Sequence, residues 1–149
     1  MKPKKMRQKT NSRLKGATFE RKIAMKMNDF FNTYALPYLV KRNLEQYREK
    51  DQGDLIGVPG FCFELKNYAQ GCRPKKSWWE QVCRAAGEDD FPILIYKFNR
   101  KPVEVQMPVA MFFAFQVKDY PKSFSEHFVI MEFAEFMYFL CCFLKVQHE

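Results

Sequence analysis

The stretch that most constrains this chain is residues 53–66, which read Gly-Asp-Leu-Ile-Gly-Val-Pro-Gly-Phe-Cys-Phe-Glu-Leu-Lys. Two short apolar runs, 54–58 and 61–67, flank Pro59-Gly60, so the stretch reads as two strands joined by a turn. Side chains alternate across a strand, which puts Glu64 and Lys66 on one face and Phe63 and Leu65 on the other. A carboxylate and an ammonium inside an apolar strand are costly to bury without partners. They must therefore form a salt bridge or line a polar site.

The turn decides which face Asp54 joins. With a strict two-residue turn at Pro59-Gly60, Val58 would face Phe61 and Asp54 would face Leu65. Asp54 would then point away from Glu64. A three-residue connection, a bulge near Gly57, or an Asp54 bent out at the strand start would put the two carboxylates together. If Asp54 and Glu64 serve one site, one of these irregularities is expected.

Upstream, residues 17–34 have helical periodicity. Phe19, Ile23, Ala24, Met27, Phe30, Phe31 and Tyr34 fall in one sector at 100° per residue. Arg21, Lys22, Met25, Asn28 and Asp29 fall outside it. Glu20 lies inside the apolar sector, where it either reaches back to the helix start or points into a polar site. Pro37 ends the helix, 38–43 is an expected strand, and 45–52 is a polar loop.

Downstream of the hairpin, residues 68–76 form a basic loop with Arg73, Lys75 and Lys76. Ser77-Trp-Trp-Glu80 fits a capping box opening a helix, and Gly87 fits its C-terminal stop. Trp78, Val82 and Ala85 are expected to face the core. Residues 91–97 read as a buried strand, 99–101 as a turn and 103–107 as a partner strand. Residues 111–117 fit strand or helix, and 120–126 a loop. Residues 128–144 are nearly all apolar apart from Glu132 and Glu135, and are expected to form a core helix that doubles as a subunit interface. Seventeen residues with two carboxylates are a poor membrane span.

Charge is unevenly placed. Of the formal net charge of +8, residues 1–15 hold seven cations (Lys2, Lys4, Lys5, Arg7, Lys9, Arg13 and Lys15) and no acid. The rest of the chain is nearly neutral. A basic arm on a neutral body suits a nucleic-acid backbone. We therefore divide the chain into a flexible arm, 1–15, and one domain, 16–149, with 109–149 as an apolar extension. Sixteen phenylalanines exclude a disordered composition. Five cysteines without CxxC spacing and two histidines make a structural zinc site a poor fit, and free thiols suit a reducing cytoplasm. The N-terminus lacks the apolar core of a signal peptide.

Phosphodiester hydrolysis needs a positioned water and stabilisation of negative charge, which divalent ions held by carboxylates supply. Mg²⁺ prefers oxygen ligands and retains several waters, so two or three acids suffice. Asp54, Glu64 and Lys66 provide such a set, with Glu20 as a further carboxylate.

The pattern Glu20, Asp54, Glu64-x-Lys66 and then a helix carrying Gln81 resembles the PD-(D/E)XK nuclease superfamily. Within it the chain is most similar to the small Holliday-junction resolvases, including phage versions. Lys15-Gly16-Ala17-Thr18-Phe19-Glu20 matches their first-helix Gly-x-x-x-Glu. Gly57-Val58-Pro59-Gly60, Arg84-Ala85-Ala86-Gly87 and Asn99-Arg100-Lys101-Pro102 also resemble phage members. The likeness spans roughly residues 13–108. It departs from the pattern at the Pro-Asp pair, which is Gly53-Asp54 here, and Asp51 is a competing acid.

The resemblance implies an α/β, restriction-endonuclease-like αβββαβ core, a mixed central sheet flanked by helices. It implies that Asp54 and Glu64 ligate Mg²⁺ (Mn²⁺ substituting), aided by the Leu65 carbonyl and completed by Glu20. Lys66 would position the attacking water, and Gln81 would support the site or touch phosphate. Lys4, Lys5, Arg7, Lys9, Arg13, Lys15, Arg73, Lys75 and Lys76 would contact DNA. The implied activity is paired cleavage of branched double-stranded DNA by a homodimer. The rivals are a nuclease of linear duplex and a non-catalytic nucleic-acid-binding protein.

Overall fold

The computed structural model describes residues 8–44, 53–113 and 127–148. Its elements are α1 (Gln8–Thr33), β1 (Lys41–Arg42), β2 (Leu55–Ile56), β3 (Phe61–Tyr68), α2 (Lys76–Ala86), β4 (Phe91–Phe98), β5 (Glu104–Pro108), α3 (Ala110–Phe113), β6 (Phe128–Glu132) and α4 (Phe133–His148). The six strands form one sheet in chain order. β3 and β4 pair in parallel, and every other neighbouring pair is antiparallel. A parallel pair needs a crossover, and α2 supplies it. This is the expected restriction-endonuclease-like arrangement, a mixed sheet flanked by helices.

Alternation along β3 and β4 sorts the two layers. Phe61, Phe63, Leu65, Ile93 and Ile95 pack with Phe19, Ile23, Met27 and Phe31 of α1 and with Phe136, Met137 and Leu140 of α4. Cys62, Leu94 and Tyr96 turn to the opposite face, under Trp78, Trp79 and Val82 of α2. Glu64 and Lys66 share the parity of Cys62, so they lie on the α2 face.

Several boundaries differ from those expected. α1 begins by Gln8, so residues 8–15 are helical and the expected boundary at 15/16 falls inside a continuous helix. The first two turns are polar all round, which hides them from a search for apolar periodicity. β1 is shorter than 38–43 because Asn28 engages Val40. The Val40 N–H donates to Asn28 Oδ1 at 2.7 Å, and Asn28 Nδ2 donates to the Val40 carbonyl at 2.9 Å. α2 starts at Lys76, with extended Lys75 at its cap and no side-chain capping bond, so the Ser77-Glu80 capping box does not form. The stop at Gly87 is as expected, with φ 61° and its N–H donating to the Cys83 carbonyl.

The largest correction concerns 128–144. Its first five residues form a strand, with Val105 opposite Met131 and Met107 opposite Val129. The helix begins only at Phe133. A run that is apolar at nearly every position has no period to tell strand from helix. Glu132 and Glu135 are exposed and cost nothing. Phe133, Phe136, Met137, Leu140, Cys141, Phe143 and Leu144 are spent on the chain's own core. Among the described residues, no helix is long and apolar enough to cross a membrane.

Gly57 fixes the entry to the hairpin. Its φ is 126°, and a Cβ there would run into the Leu39 carbonyl. We expect Gly57→Ala to cost about 1–3 kcal/mol through strain and displacement of that segment. Urea denaturation followed by circular dichroism would measure it.

Candidate active site

The hairpin has the offset that brings the carboxylates together. Leu55 faces Phe63, one residue away from the register of a strict Pro59-Gly60 turn. Continuing that register puts Asp54 opposite Glu64. Asp54 itself sits just outside β2, so the strand-start bend is present as well.

Backbone bonds hold Asp54 in this place. Its N–H donates to the Phe63 carbonyl at 2.7 Å, and its carbonyl accepts from the Asn43 N–H at 2.9 Å. Its Oδ2 accepts the Leu65 N–H at 2.8 Å. The carboxylate thus takes a strand N–H where a ladder carbonyl would otherwise serve. Asn43, itself buried, also donates Nδ2 to the Gly53 carbonyl at 3.0 Å. A Cβ on Gly53 would collide with the Phe63 backbone, so the segment needs glycine before Asp54. This accounts for the departure from Pro-Asp.

Glu64 is 7% exposed and Asp54 9% exposed. Gln81 on α2 donates Nε2 to Glu64 Oε1 at 3.0 Å and so orients that carboxylate. Burial first and then the Asp54 charge push Glu64 up to about 8, against the pull of Lys66. Burial likewise pushes Asp54 up to about 6, opposed by the Leu65 N–H and raised by Glu20. Neighbouring Cys62 is pushed up to about 12 by burial, then by Glu64, so it is a core thiol and not a nucleophile. Two adjacent, desolvated carboxylates of like sign favour a proton or a cation between them.

Glu20 points into a polar site and not back to the helix start. Arg42 Nε donates to Glu20 Oε2 at 2.7 Å in a partly buried ion pair. Among the described residues, no three of His, Cys, Asp and Glu are gathered as a metal cage. Glu20 is engaged by Arg42 at the margin of the Asp54–Glu64 pair. Its field still reaches both. Of the two readings open to Glu20, the helix start or a polar site, the structure gives the second, and Arg42 on β1 is the partner that the sequence alone did not name. Removing that cation leaves a carboxylate at 13% side-chain exposure unpaired. We expect Arg42→Ala to destabilise the fold by about 1–3 kcal/mol, and Arg42→Ala/Glu20→Gln to recover most of the loss in chemical denaturation.

The remaining expected contacts are dispersed. Lys4, Lys5 and Arg7 lie outside the described residues, as does Asp51. Lys9 is within α1, Arg13 is exposed on it, and Lys15 is half-buried. Arg73, Lys75 and Lys76 border a groove of about 670 Å³ on the α2 face, with Trp79, Phe128 and Ile130. Lys75 Nζ lies 5.7 Å from the centre of the Tyr68 ring and 5.8 Å from that of Trp78. Lys76 pairs with Glu80 at 3.8 Å.

A family described as "Phage putative PDDEXK endonuclease" matches residues 11–148. No curated protein and no solved structure matches the chain. The family match runs through α1, the hairpin, α2 and the C-terminal strand and helix, and so takes in Glu20, Asp54, Glu64 and Lys66 together. The chain belongs to this phage PD-(D/E)XK endonuclease family.

Proposed function

We propose that this protein is a divalent-metal-dependent endonuclease that cuts branched double-stranded DNA, acting on four-way junctions as a homodimer. The observation that carries the chemistry is the buried Asp54–Glu64 pair in facing register, with Lys66 on the same face of β3. This donor set fits a hard cation: two carboxylates suffice for Mg²⁺, which keeps its remaining positions for water and phosphate oxygen. Asp54 and Glu64 would hold the ion, with the Leu65 carbonyl as a further oxygen, and Mn²⁺ would substitute. When bound, the ion supplies charge stabilisation at the phosphate and an acidified water.

The chain's own residues do the rest. Gln81 fixes the orientation of Glu64, and the Leu65 N–H fixes that of Asp54. Lys66 directs its ammonium to the phosphate, where it orients the attacking water and offsets developing negative charge. Arg42 holds Glu20 at the margin, where its negative field favours a cation at the pair. Arg73, Lys75, Lys76 and the basic N-terminal residues grip DNA through phosphates, without reading bases. Two opposed nicks on a junction require two active sites related by a twofold axis.

The test offers a four-way junction and a linear duplex of the same arms, with Mg²⁺ or with chelator. Symmetric paired nicks on the junction alone, lost in chelator, are expected. Equal cutting of the linear duplex would replace junction resolution with general duplex cleavage. Tight binding without cutting in Mg²⁺ or Mn²⁺ would overturn the enzymatic reading.

A further inference from the structure

A second charged feature lies on the opposite face of the sheet from the carboxylate pair. A cleft of about 530 Å³ is lined by Lys15, Lys22 and Lys26 of α1, by Lys97 at the end of β4, and by Asn67 and Asn99 beside it. Among the described residues, no aspartate or glutamate lines it. At 100° per residue, Lys15, Lys22 and Lys26 fall within about 40° of one another, a stripe down one side of α1. With a rise of 1.5 Å per residue the stripe runs for about 16 Å, close to five base-pair steps of duplex. Glu20 points well away from it, toward Arg42.

The cations are set in a recess: Lys15, Lys26 and Lys97 are each half-buried, and their stems cover Phe19, Ile23 and Val103. Among the described residues, two ammoniums meet neutral acceptors, Lys15 Nζ at Asn99 Oδ1 (3.4 Å) and Lys97 Nζ at the Phe98 carbonyl (3.3 Å). Four like charges lining one cleft with two amides, and no acid among its described lining residues, match a polyanion better than solvent alone. The cleft lies at the same end of β3 as Lys66, on the other face of the sheet. Asn67 follows Lys66 directly in β3, so one side chain faces the candidate active site and the next faces the cleft.

Resting on the nuclease reading above, we propose that this cleft is a phosphate-backbone site for a duplex arm of the DNA substrate, with Lys22, Lys26 and Lys97 as its principal contacts. A strand leaving Lys66 passes over the end of β3 and continues along α1. Contacts to phosphate alone make the site indifferent to sequence and sensitive to salt.

The test uses the full chain carrying Glu64→Gln, in chelator, so that binding is read without cleavage. Labelled duplexes of two unrelated sequences and a four-way junction are titrated by fluorescence anisotropy over a range of salt concentrations. Replacing Lys22, Lys26 and Lys97 by glutamine is expected to weaken binding about tenfold or more at low salt. It should lower the slope of log K against log salt by about 2–3, equally for both sequences. A control removes three cations outside the cleft, Arg84, Lys101 and Lys145, and should move the slope by less than about 1. Single Lys22→Gln on the exposed helix face should lower it by about 1, which keeps the test open if the triple variant fails to fold. Equal slopes for cleft and control variants would overturn the proposal. So would tripolyphosphate that saturates the cleft and is not displaced by duplex. Cleavage by the otherwise wild-type chain with an unmoved slope would remove the cleft and leave the nuclease. Binding through the cleft with no cleavage by the wild-type chain would do the reverse.

Discussion

Lys66→Ala is expected to lower the rate of metal-dependent DNA cleavage by about 10²–10⁴-fold, the range for losing one positioned catalytic group. Binding of the same DNA in chelator should change by less than about threefold, because one exposed phosphate contact among many is lost. Lys66 is half-buried beside two buried carboxylates, so truncation also strips them of their nearest favourable charge. Arginine should not restore the rate, since a planar fork cannot occupy the place of a compact ammonium. Single-turnover cleavage with saturating protein separates the chemical step from binding. An alanine variant that cuts within threefold of wild type would remove Lys66 from the reaction and make it a salt-bridge partner of Glu64.

Glu64→Gln is expected to abolish metal-dependent cleavage and, in the absence of divalent ions, to stabilise the fold. The physical reason is the raised carboxyl group. Its folded value, about 8, exceeds the ordinary 4.5, so the folded state holds a proton that the unfolded chain releases. Stability then falls as pH rises from about 4.5 to about 8, because the unfolded state binds fewer protons across that window. Asp54 adds a smaller loss between 3.8 and about 6. Glutamine keeps the shape and the oxygen that accepts from Gln81, and removes the charge. The gain at pH 7–8 should be about 2–4 kcal/mol, and the variant's stability should be nearly flat over the upper part of that window. Mg²⁺ should raise the melting temperature of wild type and leave that of Glu64→Gln unmoved. Calorimetry at pH 5, 6.5 and 8, with and without the ion, reads all three effects. A wild-type protein more stable at pH 8 than at pH 5 without metal would contradict the buried like-charge pair.

The two predictions share one cause. The carboxylate pair is costly to the fold and useful to the site, so activity and metal-free stability move in opposite directions. Arg42 shows the contrasting case. There a half-buried carboxylate is matched by a cation, and stability alone is at stake.

Much of this architecture was legible in the sequence, and the unread parts have specific physical reasons. The alternation of β3, the apolar sector of α1 and the run of β4 each concern residues close in sequence whose period reports which face is buried. Once Asp54 and Glu64 are taken to share one site, as the family pattern implies, parity requires an irregular hairpin, because facing residues in a sheet share a side. The roles of Asp54, Glu64, Lys66 and Gln81 rest on the family pattern that these residues match, which periodicity alone does not supply. The strand at 128–132 was not legible, because Phe-Val-Ile-Met is apolar at either period and only pairing with β5 selects one. The early start of α1 was hidden by its polar first turns. The capping box failed because the helix starts two residues earlier, with its cap at Lys75, which puts Ser77 inside the first turn.

The sequence by itself determined the order of strands and helices through the core, the face on which Glu64 and Lys66 lie, and the family to which the chain belongs. Tertiary structure alone decided that Asp54 lends its carboxylate to the Leu65 N–H, that Asn43 pins Gly53, and that Arg42 claims Glu20. It also decided that lysines from α1 and β4 converge on one cleft. The division follows from the range of the interactions. Periodicity is a local property carried by neighbours in the chain, whereas charge pairing and hydrogen-bond satisfaction depend on which distant groups the packed layers bring within 3 Å.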